Sequence, residues 1–298
     1  MNEFDQKGAV TTVRIDYSGG NTEHTLFLCS DLHVDAVSCN RSAMLADLQE
    51  AVNKNAMIFL FGDVFDAMQG RFDPRRSLDE LRPEYRRNDY YDFVVKDVAK
   101  ILSPYAKNIV LISEGNHETA TQKNSNISLI DRLVWLLNTQ YGGSILHGGY
   151  GGWVRFMLTG VSGGRTSIKM KYFHGAGGDA PVTRGVIQTN RQAVYLNGAD
   201  IVVNGHNHNA YYVPIIQESV SDSGKVIFST QHHIRTPGYK SEYNDGTAGW
   251  AVEKGMVPKP LGGAFVTLRI TTNGKAKRVG CQIGVQPVIH EPVAMDLW

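Results

Sequence analysis

The chain has 298 residues, 42% of them hydrophobic, enough to bury a large core, and 30 basic against 29 acidic residues leave a net charge of +1. A balance this even excludes a global field that would draw the protein onto nucleic acid or an anionic membrane, so any polyanion must be gripped locally. Three cysteines, Cys29, Cys39 and Cys281, are too few and too scattered for a disulfide framework or a cysteine-based zinc site, and they read as reduced structural thiols.

Residues 1–20 are polar and lack a basic segment leading into an apolar core, and no run of about 18 apolar residues occurs. A soluble, cytoplasmic protein without membrane contact is therefore expected. Residues 24–30 (HTLFLCS), 56–61 (AMIFLF) and 108–113 (NIVLIS) are short continuous apolar runs, the pattern of parallel strands covered on both faces. Between them, residues 42–53 carry Met44, Leu45, Leu48 and Val52 at helical spacing, and residues 90–102 carry Tyr91, Val94, Val95, Val98, Ile101 and Leu102. A third helix is expected over 126–138, capped by Asn126 or Ser128, with Ile130, Leu133, Trp135 and Leu137 partly buried.

After Gly148 the pattern turns β-rich, with strands expected over 153–161, 167–173, 201–204, 211–216, 226–230, 264–271 and 277–283, and one helix over 186–196. Such an order suits an α/β fold of two sheets packed face to face with helices outside. No linker interrupts it, so residues 1–298 read as a single domain. Two stretches exceed a minimal sandwich: 67–88, with six arginines (Arg71, Arg75, Arg76, Arg82, Arg86, Arg87), and 232–263, rich in Gly, Pro and aromatics. Each reads either as an insertion or lid loop beside a site or as a solvated surface loop.

Five short blocks rich in Asp, Asn and His fall where strands are expected to end: Asp31-Leu32-His33, Gly62-Asp63-Val64-Phe65-Asp66, Gly115-Asn116-His117-Glu118, His174-Gly175 and Gly205-His206-Asn207-His208. Parallel strands carry their carboxyl ends to one edge, so blocks distant in sequence converge there. Carboxylate and imidazole together suit borderline divalent ions, manganese first, with iron or zinc as alternatives; calcium or magnesium would want nearly all oxygen. Two such ions, typically about 3.5–4 Å apart, need an anion between them, and Asp63 is the candidate bridge. Taken singly, an Asp or Asn before a helix is more often a cap than a ligand. Asn207 reads as a turn residue, and His232 and His233 as loop histidines that are either structural or in contact with substrate.

The blocks resemble the calcineurin-like metallophosphoesterase superfamily, whose pattern runs D-x-H, G-D-x-x-D, G-N-H-[DE], H, G-H-x-H, and all five appear in order between Asp31 and His208. The resemblance implies a four-layer αββα sandwich of two mixed β-sheets flanked by helices. It implies two metals, one held by Asp31, His33 and His208 and one by Asn116, His174 and His206, with Asp63 bridging. His117 would be the catalytic histidine, its protonated form stabilised by a hydrogen bond to Asp66, and a metal-activated hydroxide would attack phosphorus.

Protein phosphatases of this superfamily carry an arginine after the second block's final Asp and another before the third block. Here Ala67-Met68 follows Asp66, and Glu114-Gly115 precedes Asn116. A monoester dianion needs that clamp more than a diester monoanion does, which points to a phosphodiesterase or nuclease near the DNA-repair exonuclease branch, with DNA, RNA or a nucleotide as substrate. Arg71, Arg75 and Arg76 could then grip a phosphate backbone. The alternatives are a phosphomonoesterase that recruits those arginines and a non-catalytic interaction module. Oligomeric state is left open.

Overall fold

The computed structural model describes residues 3–18, 22–67, 69, 73, 76–160, 163–178, 182–243, 250–273 and 278–292. Strands β1 (Glu3–Lys7) and β2 (Val10–Tyr17) open the chain as a hairpin that polarity alone had hidden. The first strand–helix alternation follows as β3 (Glu23–Cys29), α1 (Arg41–Asn53), β4 (Met57–Phe61), α2 (Tyr90–Leu102) and β5 (Ile109–Ser113), matching the apolar runs and helical spacings. Next come α3 (Asn116–Ser125), α4 (Leu129–Tyr141) and β6 (Leu146–Gly148).

The β-rich part consists of β7 (Gly151–Gly160), β8 (Arg165–Phe173), α5 (Val186–Tyr195), β9 (Ile201–Asn204), β10 (Tyr211–Val220), β11 (Val226–Arg235), a single turn α6 (Trp250–Glu253), β12 (Leu261–Asn273) and β13 (Arg278–His290).

Two mixed sheets result. One runs β13-β12-β3-β4-β5-β6 and the other β1-β2-β7-β8-β9-β11-β10. In the first, β3, β4, β5 and β6 are parallel and β12 and β13 close the edge antiparallel; in the second, β8, β9 and β11 are parallel.

Strand periodicity sorts the core into layers. Leu26, Leu28, Phe59, Phe61 and Leu111 face Val154, Phe156, Leu158, Met170 and Val203 of the other sheet. Their neighbours Phe27, Cys29, Ile58, Leu60 and Ile112 face outward onto α1, α2 and α4, through Met44, Leu48, Val94, Val98, Leu133 and Leu137. Each fully buried side chain of this size contributes about 1.5–3 kcal/mol, so the three-helix layer and the inter-sheet layer are the main stabilisers. The outer face of the second sheet has a smaller cover, in which Leu196, Ala199 and Val202 pack with Trp153. The architecture is thus the expected helix-flanked pair of mixed sheets, thicker on one side.

Three expectations are corrected. The helix read over 126–138 is α4, displaced to 129–141 and capped by Ser128, whose hydroxyl accepts from Asp131 N at 3.3 Å, while Asn126, the other cap considered, instead ends α3 in a left-handed conformation. Trp135 lies on the outer face of α4 and is 61% exposed rather than partly buried. His232 and His233 are strand residues near the end of β11, paired with Ile201 and Val202, and are not in a loop. They bond Tyr212 Oη and Gln231 Oε1, each at 2.7 Å.

Candidate metal centre

All five blocks lie just beyond strand C-termini: Asp31 after β3, Asp63 after β4, Asn116 after β5, His174 after β8 and His206 after β9. The loops stay paired past the strands, with Asp31 N donating to Gly62 O (2.9 Å) and His33 N to Asp63 O (3.0 Å). His174 joins the sheets by donating Nδ1–H to Phe61 O at 2.9 Å. Gly62 adopts a φ of +84°, and a Cβ there would stand 2.6 Å from His174 Nδ1, so this crossing point admits only glycine.

The two central carboxylates are built alike. Asp31 commits Oδ2 to His206 N at 2.9 Å and to the Ser30 hydroxyl, while its buried Oδ1 has no hydrogen-bond partner and faces His208 Nε2 at 3.4 Å and His174 Nε2 at 3.9 Å. Asp63 commits Oδ1 to His117 N at 3.0 Å and turns Oδ2 toward His174 Nε2 (3.1 Å), His117 Nε2 (3.8 Å) and His33 Nε2 (3.9 Å). In each, one oxygen is fixed by the fold and the other is presented to imidazoles.

Asp31, His33 and His208 gather into one group of donor atoms and Asp63, His174 and His206 into a second, each within 4.8 Å. Asn116 Oδ1 completes the second, 2.7 Å from His206 Nδ1 and 3.1 Å from His174 Nε2. Such spacings approach the ~3 Å between neighbouring donors in an octahedral shell with ~2.1 Å bonds. Asp31 Oδ1 and His33 Nε2 are buried without hydrogen-bond partners, a cost that a cation between them would remove. The residues present therefore fit the paired divalent ions that the motif implies.

Backbone strain is concentrated in the same place. Asp31 (φ 53°), His33 (44°), Asp63 (50°), His206 (74°) and His208 (51°) all occupy the left-handed region. At about 1–2 kcal/mol each for non-glycine residues, five of the seven expected ligands are held against their own preference, which is characteristic of a functional site.

The electrostatics follow from packing these groups together. Burial opposes ionisation of Asp31, but His174 and His208 more than compensate and hold its pKa at about 2. Asp63, despite burial, is held well below the carboxylate range by His174, His117 and His33. Burial lowers His174, yet Asp63 and Asp31 outweigh it and raise the ring to about 10. His208 is likewise raised, burial being overcome by Asp31, whereas His206 is lowered by burial and by His174.

His117 departs from the expected dyad. Its Nδ1–H donates to the main-chain carbonyl of Asp66 at 2.5 Å, while the Asp66 carboxylate stands 3.8 Å away. Burial lowers its pKa, which Asp63 and then Asp66 offset only in part. The carbonyl fixes Nδ1 as the donor and leaves Nε2 facing Asp63.

Arg71 and Arg75 lie outside the described residues, and Arg76 is exposed. Arg82 donates to Ala36 O (3.0 Å) and Cys39 O (2.9 Å), and Arg86 to Leu81 O (3.1 Å), so these two tie down their own segment.

Several supporting residues carried no sequence signal of their own. Glu118 accepts from Asp63 N (3.0 Å), Gly115 N (2.8 Å) and Phe65 N (3.0 Å), locking the second block to the third. Burial and Asp63 push its pKa up to about 8, but three N–H donors face its two oxygens and a protonated oxygen would meet one of them, so we take it as ionised. Asp35 accepts from Asp66 N (2.6 Å), Ala67 N (3.1 Å) and the Tyr90 hydroxyl. Within the 232–263 stretch, Thr236 Oγ1 meets Ser30 Oγ at 2.7 Å and Tyr239 N donates to Asp31 O at 2.9 Å, so this part braces the centre from behind. Only Glu118 could have been picked out, as the acidic fourth letter of its block.

The calcineurin-like phosphoesterase family matches residues 24–210, well over half of the chain and all five blocks. No curated protein matches the chain. Among solved structures, GAP50, the anchor in the inner membrane complex of Plasmodium, is 14% identical, with 90% of this chain and 84% of that one covered and a TM-score of 0.42. A conserved uncharacterised protein from Streptococcus pneumoniae, described as a predicted phosphoesterase, is 13% identical over 90% and 99% of the two chains, with a TM-score of 0.32. A Thermotoga maritima protein solved in solution is 11% identical over 88% and 99%, with a TM-score of 0.30. Among the described residues no helix is long and apolar enough to cross a membrane.

Proposed function

Because the chain belongs to the calcineurin-like phosphoesterase family, and is on that ground a metal-dependent phosphoester hydrolase, we propose that it is a phosphodiesterase acting on nucleic acid or a nucleotide, with manganese as its preferred ion. One observation carries the diester preference. Among the described residues, the two buried Lys and Arg side chains near the centre are already committed: Lys240 Nζ to Asp66 and Glu242, each at 2.9 Å, and Arg235 to Gly205 O (2.8 Å) and the Tyr211 hydroxyl (3.0 Å). With the protein-phosphatase arginines also missing from the blocks, a phosphoryl group carrying a single negative charge fits the site better than a dianion.

In this reading Asp31, His33 and His208 would hold one divalent ion and Asn116, His174 and His206 the other, with Asp63 available to both. Bound ions would activate a water for attack and neutralise charge on the phosphate oxygens. The protein's part is to fix one oxygen of each carboxylate so that the other is aimed, and to exclude water by burying Asp31, His33, Asp63 and His174. His117 presents Nε2 on the Asp63 side; protonated there as well as at Nδ1, the ring would give that proton to the departing oxygen, a contribution typically worth about 10²–10⁴ in rate. Exposed Arg76 contributes a phosphate contact away from the chemistry.

The test is hydrolysis of bis-p-nitrophenyl phosphate against p-nitrophenyl phosphate in manganese, with Asp63→Asn as the control. Faster cleavage of the diester, abolished in D63N, is expected. Faster cleavage of the monoester would overturn the diester preference, and no cleavage of either ester with any divalent ion would overturn the hydrolase reading.

A further inference from the structure

We propose that buried Asp66 and Lys240, with half-buried Glu242 behind them, form a charged brace that positions the metal-ligating ring of His33, a task distinct from polarising His117. The proposal rests on the reading above in which Asp31, His33 and His208 share an ion. An imidazole that gives one nitrogen to a cation presents the other as an N–H donor and needs an acceptor to fix its rotation and tautomer. His33 faces Asp63 with Nε2 and has Asp66 Oδ1 3.0 Å from Nδ1, off the ideal donor line but well within contact. Among the described residues no group meets Nδ1 in full hydrogen-bond geometry, so this carboxylate oxygen is the acceptor at hand for a ring N–H there.

The same Asp66 oxygen accepts from Lys240 Nζ at 2.9 Å, which fixes the carboxylate. Lys240 is itself buried and held by Glu242 Oε1 at 2.9 Å. The main chain around Asp66 is immobilised independently, since Asp35 takes both Asp66 N and Ala67 N. Only the Asp66 side chain therefore remains to be set, and Lys240 sets it. His117 does not compete for that carboxylate, because it is anchored on the Asp66 carbonyl instead.

Two negative charges and one positive leave the cluster with one net negative charge beside His33, the sign that favours a cation on the far nitrogen. Lys240 arrives from a segment distant in sequence that also holds Asp31 through Tyr239 N and Ser30 through Thr236. One stretch of chain thus steadies two of the three donors expected for that ion.

The experiment is calorimetric titration of manganese into the metal-stripped full-length protein, compared with Asp66→Asn and Lys240→Met, each checked for folding by circular dichroism. Wild type should take up two ions. In D66N and K240M the affinity for one ion should fall by about 10–100-fold, the usual cost of removing such a support, while the other stays within about threefold. The manganese concentration giving half-maximal diester hydrolysis should rise by the same factor.

If D66N binds both ions as wild type does and loses only turnover, Asp66 serves His117 and the proposal is overturned. If D66N weakens one ion and folded K240M does not, the role of Lys240 is overturned. D66N is isosteric and decides the matter for Asp66 even where K240M does not fold. Wild-type protein that binds no manganese would instead refute the metal reading on which this one stands.

Discussion

Gly115→Ala is the smallest change that should disable this protein without touching a donor atom. Gly115 has a φ of −114°, which alanine adopts freely, so the effect is purely steric. A Cβ there would lie 2.1 Å from Asp63 Oδ1 and 2.4 Å from Asp63 N, whereas ordinary contact begins near 3.4 Å. Asp63 must therefore retreat by about an ångström, carrying its bridging oxygen with it and straining the bonds that Glu118 makes to Asp63 N and Gly115 N. Overpacking of this kind costs about 1–3 kcal/mol of stability. A 1 Å displacement of a positioning group costs about 10² in rate. Diester hydrolysis in saturating manganese should fall by roughly that factor or more in G115A, with the melting temperature only a few degrees lower. Turnover within threefold of wild type would refute the placing of Asp63 at the hub of the chemistry.

Metal binding should release protons. At neutral pH the metal-free centre holds a proton on His174, whose pKa stands at about 10, and the raised His208 holds part of another. Both rings must deprotonate to ligate, so manganese affinity should rise with pH, about tenfold per unit for each proton released, and fall in acid. Calorimetry at pH 7 in buffers of different ionisation enthalpy should give at least about one proton per chain, and none would contradict the assignment. Glu118→Gln should cost about 1–3 kcal/mol in urea unfolding, since an amide group cannot accept from all three N–H donors and one is left unpaired; an unchanged midpoint would refute the locking role. Arg82→Ala should lower the melting temperature and leave the KM for a polynucleotide unchanged, because its donors serve Ala36 O and Cys39 O. Arg76→Ala should do the reverse, raising KM several-fold at low salt without affecting melting; if the two variants behave alike, the division of labour among these arginines is wrong.

How much of this was legible in the sequence depends on whether the signal was local. The buried parallel strands β3, β4 and β5 announce themselves as apolar runs because both faces are covered, and the blocks at their ends follow from the rule that such edges carry sites. The N-terminal hairpin was missed although β2 alternates, with Val13, Ile15 and Tyr17 turned inward between Arg14 and Asp16, because a strand covered on one face offers no continuous apolar run and β1 is almost wholly exposed. α3 was missed because its sequence, NHETATQKNS, has no apolar stripe; it is fixed by Glu118 folding back on Gly115 N and by its place after β5.

At the centre, the donor residues were legible as types in order, but their support was not. Lys240 and Thr236 reach Asp66 and Ser30 across more than 170 residues, and nothing local in a Gly- and Pro-rich stretch marks that contact. The Asp66–His117 relation was misread for a related reason. The motif names the residue, whereas the contact is made by its carbonyl, which every residue possesses.

Anomalous diffraction from crystals grown with manganese tests the central claim most directly. The account predicts two peaks about 3.5–4 Å apart, with one oxygen of Asp63 between them, Asp31, His33 and His208 around one, and Asn116, His174 and His206 around the other. A single peak, or a pair in which Asp63 touches only one ion, would contradict it.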